Sequence, residues 1–318
     1  MQVLSRTYFA IIAPMGHNHH HHHHHHAAPE SFNLAFSLAI GINLLFTLVE
    51  AVYALMANSM SLLADAGHNL GDVLGLALSW GALWLLSKKA TDKYSYGFKR
   101  TTILAALINA IVLMSTAVAI CTESIHKLIT PSHVNETIVM IVALVGIFVN
   151  GGTAILFAKG QHGDLNIKSA FLHLAFDALI SFGVVLTGVA IYFTHWLRLD
   201  AIVGIAIAIF IVYGTWSVLK QSVDLILDAV PADVDSKAVE AYLLSFDNIK
   251  AVHDLHIWSL STQEVALTAH VVVPENNLTD ALLIEIHEQL ANQFHIKHAT
   301  LQTEVGEIDQ CVRQGGCC

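Results

Sequence analysis

The sequence predicts a polytopic α-helical membrane protein with a small α+β domain at its C-terminal end. Three observations predict it. Hydrophobic residues make up 55% of the 318 and charged residues only 13%, a balance no water-soluble core requires. Six apolar runs approach or exceed the roughly 20 residues that cross a bilayer as a helix. Beyond Asp228 these give way to short amphipathic and alternating runs, the mark of a soluble domain.

The chain opens with an apolar stretch, Tyr8 to Pro14, that is too short to span and has no small-residue cleavage site after it, so no signal peptide is expected. Met15-Gly16-His17-Asn18 reads as an alternative start. His17 and His19 to His26 then form a tract whose interchangeable imidazoles can gather metal. His17, His19 and His20 are its auxiliary ligands, and an engineered purification tag is the competing reading. The six spans fall at 32–56, 59–87, 101–127, 136–159, 167–193 and 199–222. The second loop carries Lys88, Lys89, Lys93, Lys99 and Arg100 and the fourth Lys159 and Lys168, whereas the others offer only Lys127 and Arg198. Basic loops stay in the cytosol, so both termini are expected there too.

Pro231 marks the break after the sixth span. Asp233 and Asp235 lead into Val239, Tyr242, Leu243 and Phe246, a capped amphipathic helix. Strands are expected at 251–260 and 265–273, a helix at 279–294 and a last strand at 298–305. This order predicts a small antiparallel sheet with its helices on one face. The resulting division is 1–30 as a flexible His-rich segment, 31–225 as the six-helix transmembrane domain, 229–306 as the cytoplasmic α+β domain and 307–318 as a Cys-containing tail.

Two spans share a pattern. His68 is followed four residues later by Asp72, and His173 by Asp177; on a helix each pair occupies one face. A membrane-embedded Asp costs about 2.5–3.5 kcal/mol on insertion scales, so two of them need a counter-charge. Neither 64–72 nor 171–177 contains Lys or Arg. Two carboxylates and two neutral imidazoles carry two negative charges, which a divalent cation neutralises, and the mixed N/O set suits zinc better than magnesium or calcium. Asp65, three residues before His68, shares its face as an accessory acceptor, and Glu50, Asn109 and Asn166 are candidates to line the same aqueous route. Hydrogen bonding between helices is the competing role for each, and Cys121 reads as packing.

In the soluble domain the candidate ligands are His253, His256, His270, His298 and Glu304, with Cys311, Cys317 and Cys318 in the tail. His253 and His256, three apart in a strand, are expected on opposite faces and so on different ions. The tail cysteines have no zinc-finger spacing. The four cysteines do not resemble a disulfide framework. The net charge of −10, gathered mostly in the last third, does not point to nucleic acid as a partner.

Six spans, the repeated His-x-x-x-Asp, the run Tyr94-Ser95-Tyr96-Gly97-Phe98-Lys99-Arg100 and His253-Asp254-Leu255-His256-Ile257-Trp258 together resemble the zinc-transporting branch of the cation diffusion facilitators, over about residues 32–305. The resemblance implies a homodimer, a metallochaperone-like, ferredoxin-like cytoplasmic domain and zinc export in exchange for protons. Relatives of this kind also confer cadmium and cobalt resistance. By position it assigns His68, Asp72, His173 and Asp177 to transport and His253, His270 and Glu304 to the cytoplasmic domain. The chain departs from some members in having no His in 87–100, only His162 in the fourth loop, and no Cys-x-x-Cys.

The expected function is therefore zinc efflux by alternating access, with zinc and protons as partners in the lipid of a bacterial inner membrane and a cytoplasmic domain that senses zinc. Two other classes fit the residues: a membrane-bound zinc sensor or store without flux, and an intramembrane hydrolase. His-Glu-x-x-His and Gly-x-x-x-x-Gly-Lys-[Ser/Thr] are both absent, so neither a protease of that type nor an ATP-driven pump is expected.

Overall fold

The computed structural model describes residues 30–158, 165–274 and 279–305; His17, His19, His20, Cys311, Cys317 and Cys318 lie outside them. Six long helices come first: α1 (Glu30–Ala57), α2 (Met60–Leu86), α3 (Thr101–Ile129), α4 (Glu136–Ala158), α5 (Leu165–Thr194) and α6 (Arg198–Ile226). By length and composition α2 to α6 can each cross a membrane, and Gly41–Ala57 of α1 is apolar as well. The expected helix bounds hold closely, except that α6 runs on to Ile226. It stops before Pro231: Asp228 turns left-handed at φ 58° and the Ala229 amide donates back to the Asp224 carbonyl, closing the helix in a Schellman-like turn.

The chain packs as two compact units, residues through 80 with 108–219, and residues 81–107 with those from 220 onward. In the first, α2 meets α3 along a glycine stripe. A Cβ on Gly71 would lie 2.1 Å from Leu113 Cδ2, one on Gly75 2.6 Å from Asn109 Nδ2, and one on Gly67 3.1 Å from Thr116 Cγ2. Small residues let helix backbones approach closely where lipid supplies no hydrophobic drive between helices. Asn109 is therefore placed in this seam, against Gly75. The stripe at 67, 71 and 75 immediately precedes His68 and Asp72 in the chain, so pressing it into α3 turns the ligand-bearing side elsewhere. Gly71→Val should destabilise the protein by about 1–3 kcal/mol through overpacking, and Leu113→Ala in that background should recover most of the loss. Thermal unfolding in detergent measures both, and equal stability of Gly71→Val and wild type would disprove the seam.

At the other end of α2, the buried Asp200 of α6 caps the helix. Its carboxylate accepts from Ser59 Oγ and Ser61 Oγ, each at 2.6 Å, and from the amides of Met60 and Ser61. A carboxylate at a helix N-terminus satisfies orphan donors and complements the dipole. Asn58, left-handed at φ 54°, makes the tight α1–α2 link, and its side-chain amide donates to Ser132 Oγ at 2.9 Å.

The second unit holds α7 (Ser236–Leu244), β1 (Ala251–Ser259), β2 (Val265–Val273), α8 (Asp280–Gln293) and β3 (Ile296–Val305). Asp235 caps α7 by accepting from the Lys237 and Ala238 amides, and Thr279 caps α8. Val239 and Leu243 of α7 and Ile286 and Leu290 of α8 bury against Ile257, Leu267, Ala269 and Val271, so both helices cover one face of the sheet, as their apolar spacing implies. The strand order is β1-β2-β3. β1–β2 is antiparallel but β2–β3 is parallel, which corrects the expected all-antiparallel sheet: α8 forms a crossover between β2 and β3, and a crossover returns the chain in the same direction. Also in this unit, the segment before α3 touches the β1–β2 turn, where Lys99 pairs with Glu264 and the Thr262 amide donates to Thr102 Oγ1 at 3.1 Å.

Candidate metal sites

In the first unit α2 supplies His68 and Asp72 and α5 supplies His173 and Asp177, each pair one helical turn apart. The structure brings all four together. His68 Nε2 lies 3.7 Å from Asp72 Oδ2 and 3.6 Å from Asp177 Oδ1. His173 Nε2 lies 3.3 Å from Asp72 Oδ2 and 3.5 Å from Asp177 Oδ2. Ligands about 2.0–2.2 Å from a tetrahedral zinc ion sit roughly 3.4 Å apart, and these separations, which use both Asp177 oxygens, lie close to that edge length. His68, Asp72 and Asp177 offer atoms all within 4.8 Å of one another, and His173 closes the ring through both carboxylates. Asp72 Oδ2 and Asp177 Oδ1 are buried with no hydrogen-bond donor, a state that a cation at the centre relieves.

Exposure is uneven across the site. Asp72 and His173 side chains are 25% and 23% exposed, whereas His68 and Asp177 are 5% and 4% exposed. The open pair lies one turn nearer the loops at 87–100 and 159–164; the closed pair lies one turn nearer the opposite end. Beyond the closed pair, Asp65 accepts from Ser181 Oγ at 2.8 Å, joining α2 to α5, and Asn69 Nδ2 donates to Glu50 Oε2 at 3.3 Å, joining α2 to α1. Asp65 and Glu50 thus adjoin the cluster. Ser181 and Asn69 were not among the expected residues, although Ser181 follows Asp177, and Asn69 follows Asp65, by one helical turn. Asn166 falls in the first turn of α5, its side chain outside the described residues.

In the second unit the helix-free face of the sheet gathers His253 from β1, His270 from β2 and Glu304 from β3. Glu304 Oε2 is 3.1 Å from His253 Nε2 and Glu304 Oε1 is 2.8 Å from His270 Nδ1, and the three offer atoms within 4.8 Å. Two imidazoles and a carboxylate are a donor set that fits zinc and leaves a fourth position for a further ligand.

His256 corrects an expectation. His253 pairs with His270 and His256 with Thr268, the register shifting between them; since residues 268 and 270 share a face, so do His253 and His256. The cause is a bulge at Asp254, left-handed at φ 53°, which inserts one extra residue and reverses the alternation. His256 nevertheless stays outside the cluster, pairing with Asp254 Oδ1 at 2.9 Å. His298 packs edge-on against Tyr96, ring centroids 5.4 Å apart. Cys121 is a free thiol in α3 beside the apolar core of the first unit.

Comparison with known proteins places these sites in context. Residues 37–227 match the family model of the cation efflux transmembrane domain and residues 231–305 that of the cation efflux protein cytoplasmic domain. The chain is 33% identical over 296 residues, 93% of its length and 92% of the relative's, to the metal cation efflux system protein CzcD of Cupriavidus metallidurans. It is 32% identical to the zinc transporter ZitB of Escherichia coli, covering 91% and 93% of the two chains. It is 31% identical to the cadmium, cobalt and zinc/H(+)-K(+) antiporter of Bacillus subtilis, covering 91% and 92%. Among solved structures, the metal-bound C-terminal domain of the CzcD transporter from Cupriavidus metallidurans is 38% identical, covering 23% of this chain and all of that one with a TM-score of 0.21.

Proposed function

The chain belongs to the cation efflux, or cation diffusion facilitator, family and is a multi-pass metal efflux transporter rather than an enzyme; from that premise we propose that it exports cytosolic zinc in exchange for protons, by alternating access around His68, Asp72, His173 and Asp177. The observation that carries the proposal is the ring of four ligand separations from 3.3 to 3.7 Å. Residues 31–225 serve as the transport domain and 229–306 as the regulatory domain, and the protein works as a homodimer in a bacterial inner membrane with both termini in the cytosol. The His-rich N-terminal segment gathers metal near the entrance.

On this orientation the exposed side of the site, Asp72 and His173, faces the cytosol, and the geometry corresponds to the loading state. Zinc binds only deprotonated ligands, so zinc and protons compete for the same four groups. Protons delivered from a more acidic exterior compete with zinc for the imidazoles and carboxylates and favour its release. Net charge stays balanced in both states: a divalent ion or two protons neutralise the two carboxylates. The cadmium and cobalt in the Bacillus relative's name are further candidate cargoes, since softness and geometry rather than fold set selectivity.

In the cytoplasmic domain, His253, His270 and Glu304 would hold a regulatory zinc ion, which supplies the charge that links three strands. Those residues report cytosolic zinc to the membrane helices through the short link 228–233, a coupling of the kind that shifts a two-state equilibrium. Glu304→Gln should remove one bound zinc ion per chain in equilibrium dialysis and raise the cytosolic zinc concentration needed for half-maximal flux. An unchanged zinc stoichiometry would refute the second site.

The test of the main proposal is zinc accumulation by inverted membrane vesicles with an imposed proton gradient. Accumulation that collapses with the gradient is expected. Zinc bound without accumulation would instead mark the protein as a sensor or store.

A further inference from the structure

The two carboxylates beyond the closed side of the transport site have no role in the tetrahedral ring. Glu50 and Asp65 are both 0% exposed and their carboxyl groups lie against each other. Each has one neutral donor, Asn69 on Glu50 Oε2 and Ser181 on Asp65 Oδ2. The remaining oxygens, Glu50 Oε1 and Asp65 Oδ1, are enclosed with no donor from any other residue, so a proton shared between the two acids is the one other partner open to them. Two abutting acids enclosed in a membrane segment are costly unless something positive visits them, and intramembrane acids mark ion routes by default. The other titratable groups facing them are Asp177 and His68.

We propose that Glu50 and Asp65, with the Asn69 and Ser181 side chains, form a second divalent-cation station through which the metal passes after leaving the tetrahedral ring. This rests on the transport reading above. Position and chemistry both favour it. Asp65 lies one turn from His68 and Ser181 one turn from Asp177, on the side away from the exposed pair, which is the exit side on the proposed orientation. Its donors are oxygens alone, whereas the ring offers two imidazoles. Zinc prefers imidazole, and all-oxygen sites suit harder cations, so the ion descends from a tighter seat to a looser one on its way out. The same four side chains tie α2 to α1 and α5, so the station doubles as the outer seal while the site loads from the cytosol.

The experiment uses the full-length protein in proteoliposomes, with zinc as the probe, and the isosteric variants Glu50→Gln and Asp65→Asn, singly and together. Wild type and Asp177→Asn are measured first: no zinc flux in the wild type would overturn the transport reading itself. Given wild-type flux, the double variant should still bind zinc at the ring, which also certifies its fold, yet transport it about 10- to 100-fold more slowly. Wild-type flux in the double variant overturns the station. So does flux that falls but returns fully when the external pH is changed, because the pair then carries only protons. Cadmium NMR of the wild type gives an independent reading that needs no variant. A resonance in the all-oxygen range, beside those of mixed N/O sites, is expected, and its absence overturns the proposal.

Discussion

Asp177→Asn should reduce zinc flux by at least about 100-fold while leaving the helices intact. Asn keeps the shape of the side chain and removes its charge. The ring then offers one carboxylate instead of two, so a bound zinc ion leaves an unbalanced positive charge in a membrane site, and groups that merely orient ligands already account for 10- to 100-fold effects. Asp177, like Asp72, lies close to both imidazoles, 3.6 Å from His68 and 3.5 Å from His173, and it is the more buried of the two carboxylates. Zinc accumulation in inverted vesicles, normalised to protein, measures the effect, and circular dichroism checks the fold. Flux within a few-fold of wild type would remove the four-ligand ring from the mechanism.

The second large effect is on stability. Asp200→Ala leaves two buried hydroxyls and two helix N-terminal amides without their common acceptor. Unsatisfied buried donors cost about 1–3 kcal/mol each, partly relieved by mutual hydrogen bonds such as that between Ser59 Oγ and Ser61 Oγ, so a net loss on the order of 3 kcal/mol is expected. For a chain of this size that lowers the unfolding midpoint by roughly 6–12 °C. Asp200→Asn, which keeps one acceptor oxygen, should fall between. A midpoint unmoved by Asp200→Ala would show that the cap contributes nothing.

The parts of the molecule that were legible in the chain are those whose physics is local. Span lengths follow from the bilayer's thickness, and the His68–Asp72 and His173–Asp177 pairs follow from the pitch of a helix, so both were readable from spacing. Asp235 was readable as a cap for the same reason. Asp200 went unread because its donors, Ser59, Met60 and Ser61, are about 140 residues away in the chain. Ser181 went unread because a lone Ser in an apolar span usually bonds its own helix, and only the approach of α5 to α2 redirects it to Asp65.

Alone, the sequence determined that the chain crosses a membrane repeatedly, that it ends in an α+β domain, and which four side chains have the composition of a zinc site. Only the tertiary structure decided that those four converge, that Gly67, Gly71 and Gly75 press α2 into α3, and that β3 runs parallel to β2. It also decided that His256 shares a face with His253. A strand's alternation is a counting rule, and one left-handed residue at Asp254 shifts the count by one. Whether Asp254 adopts that conformation depends on the partner strand it must still pair with, and no local pattern records it.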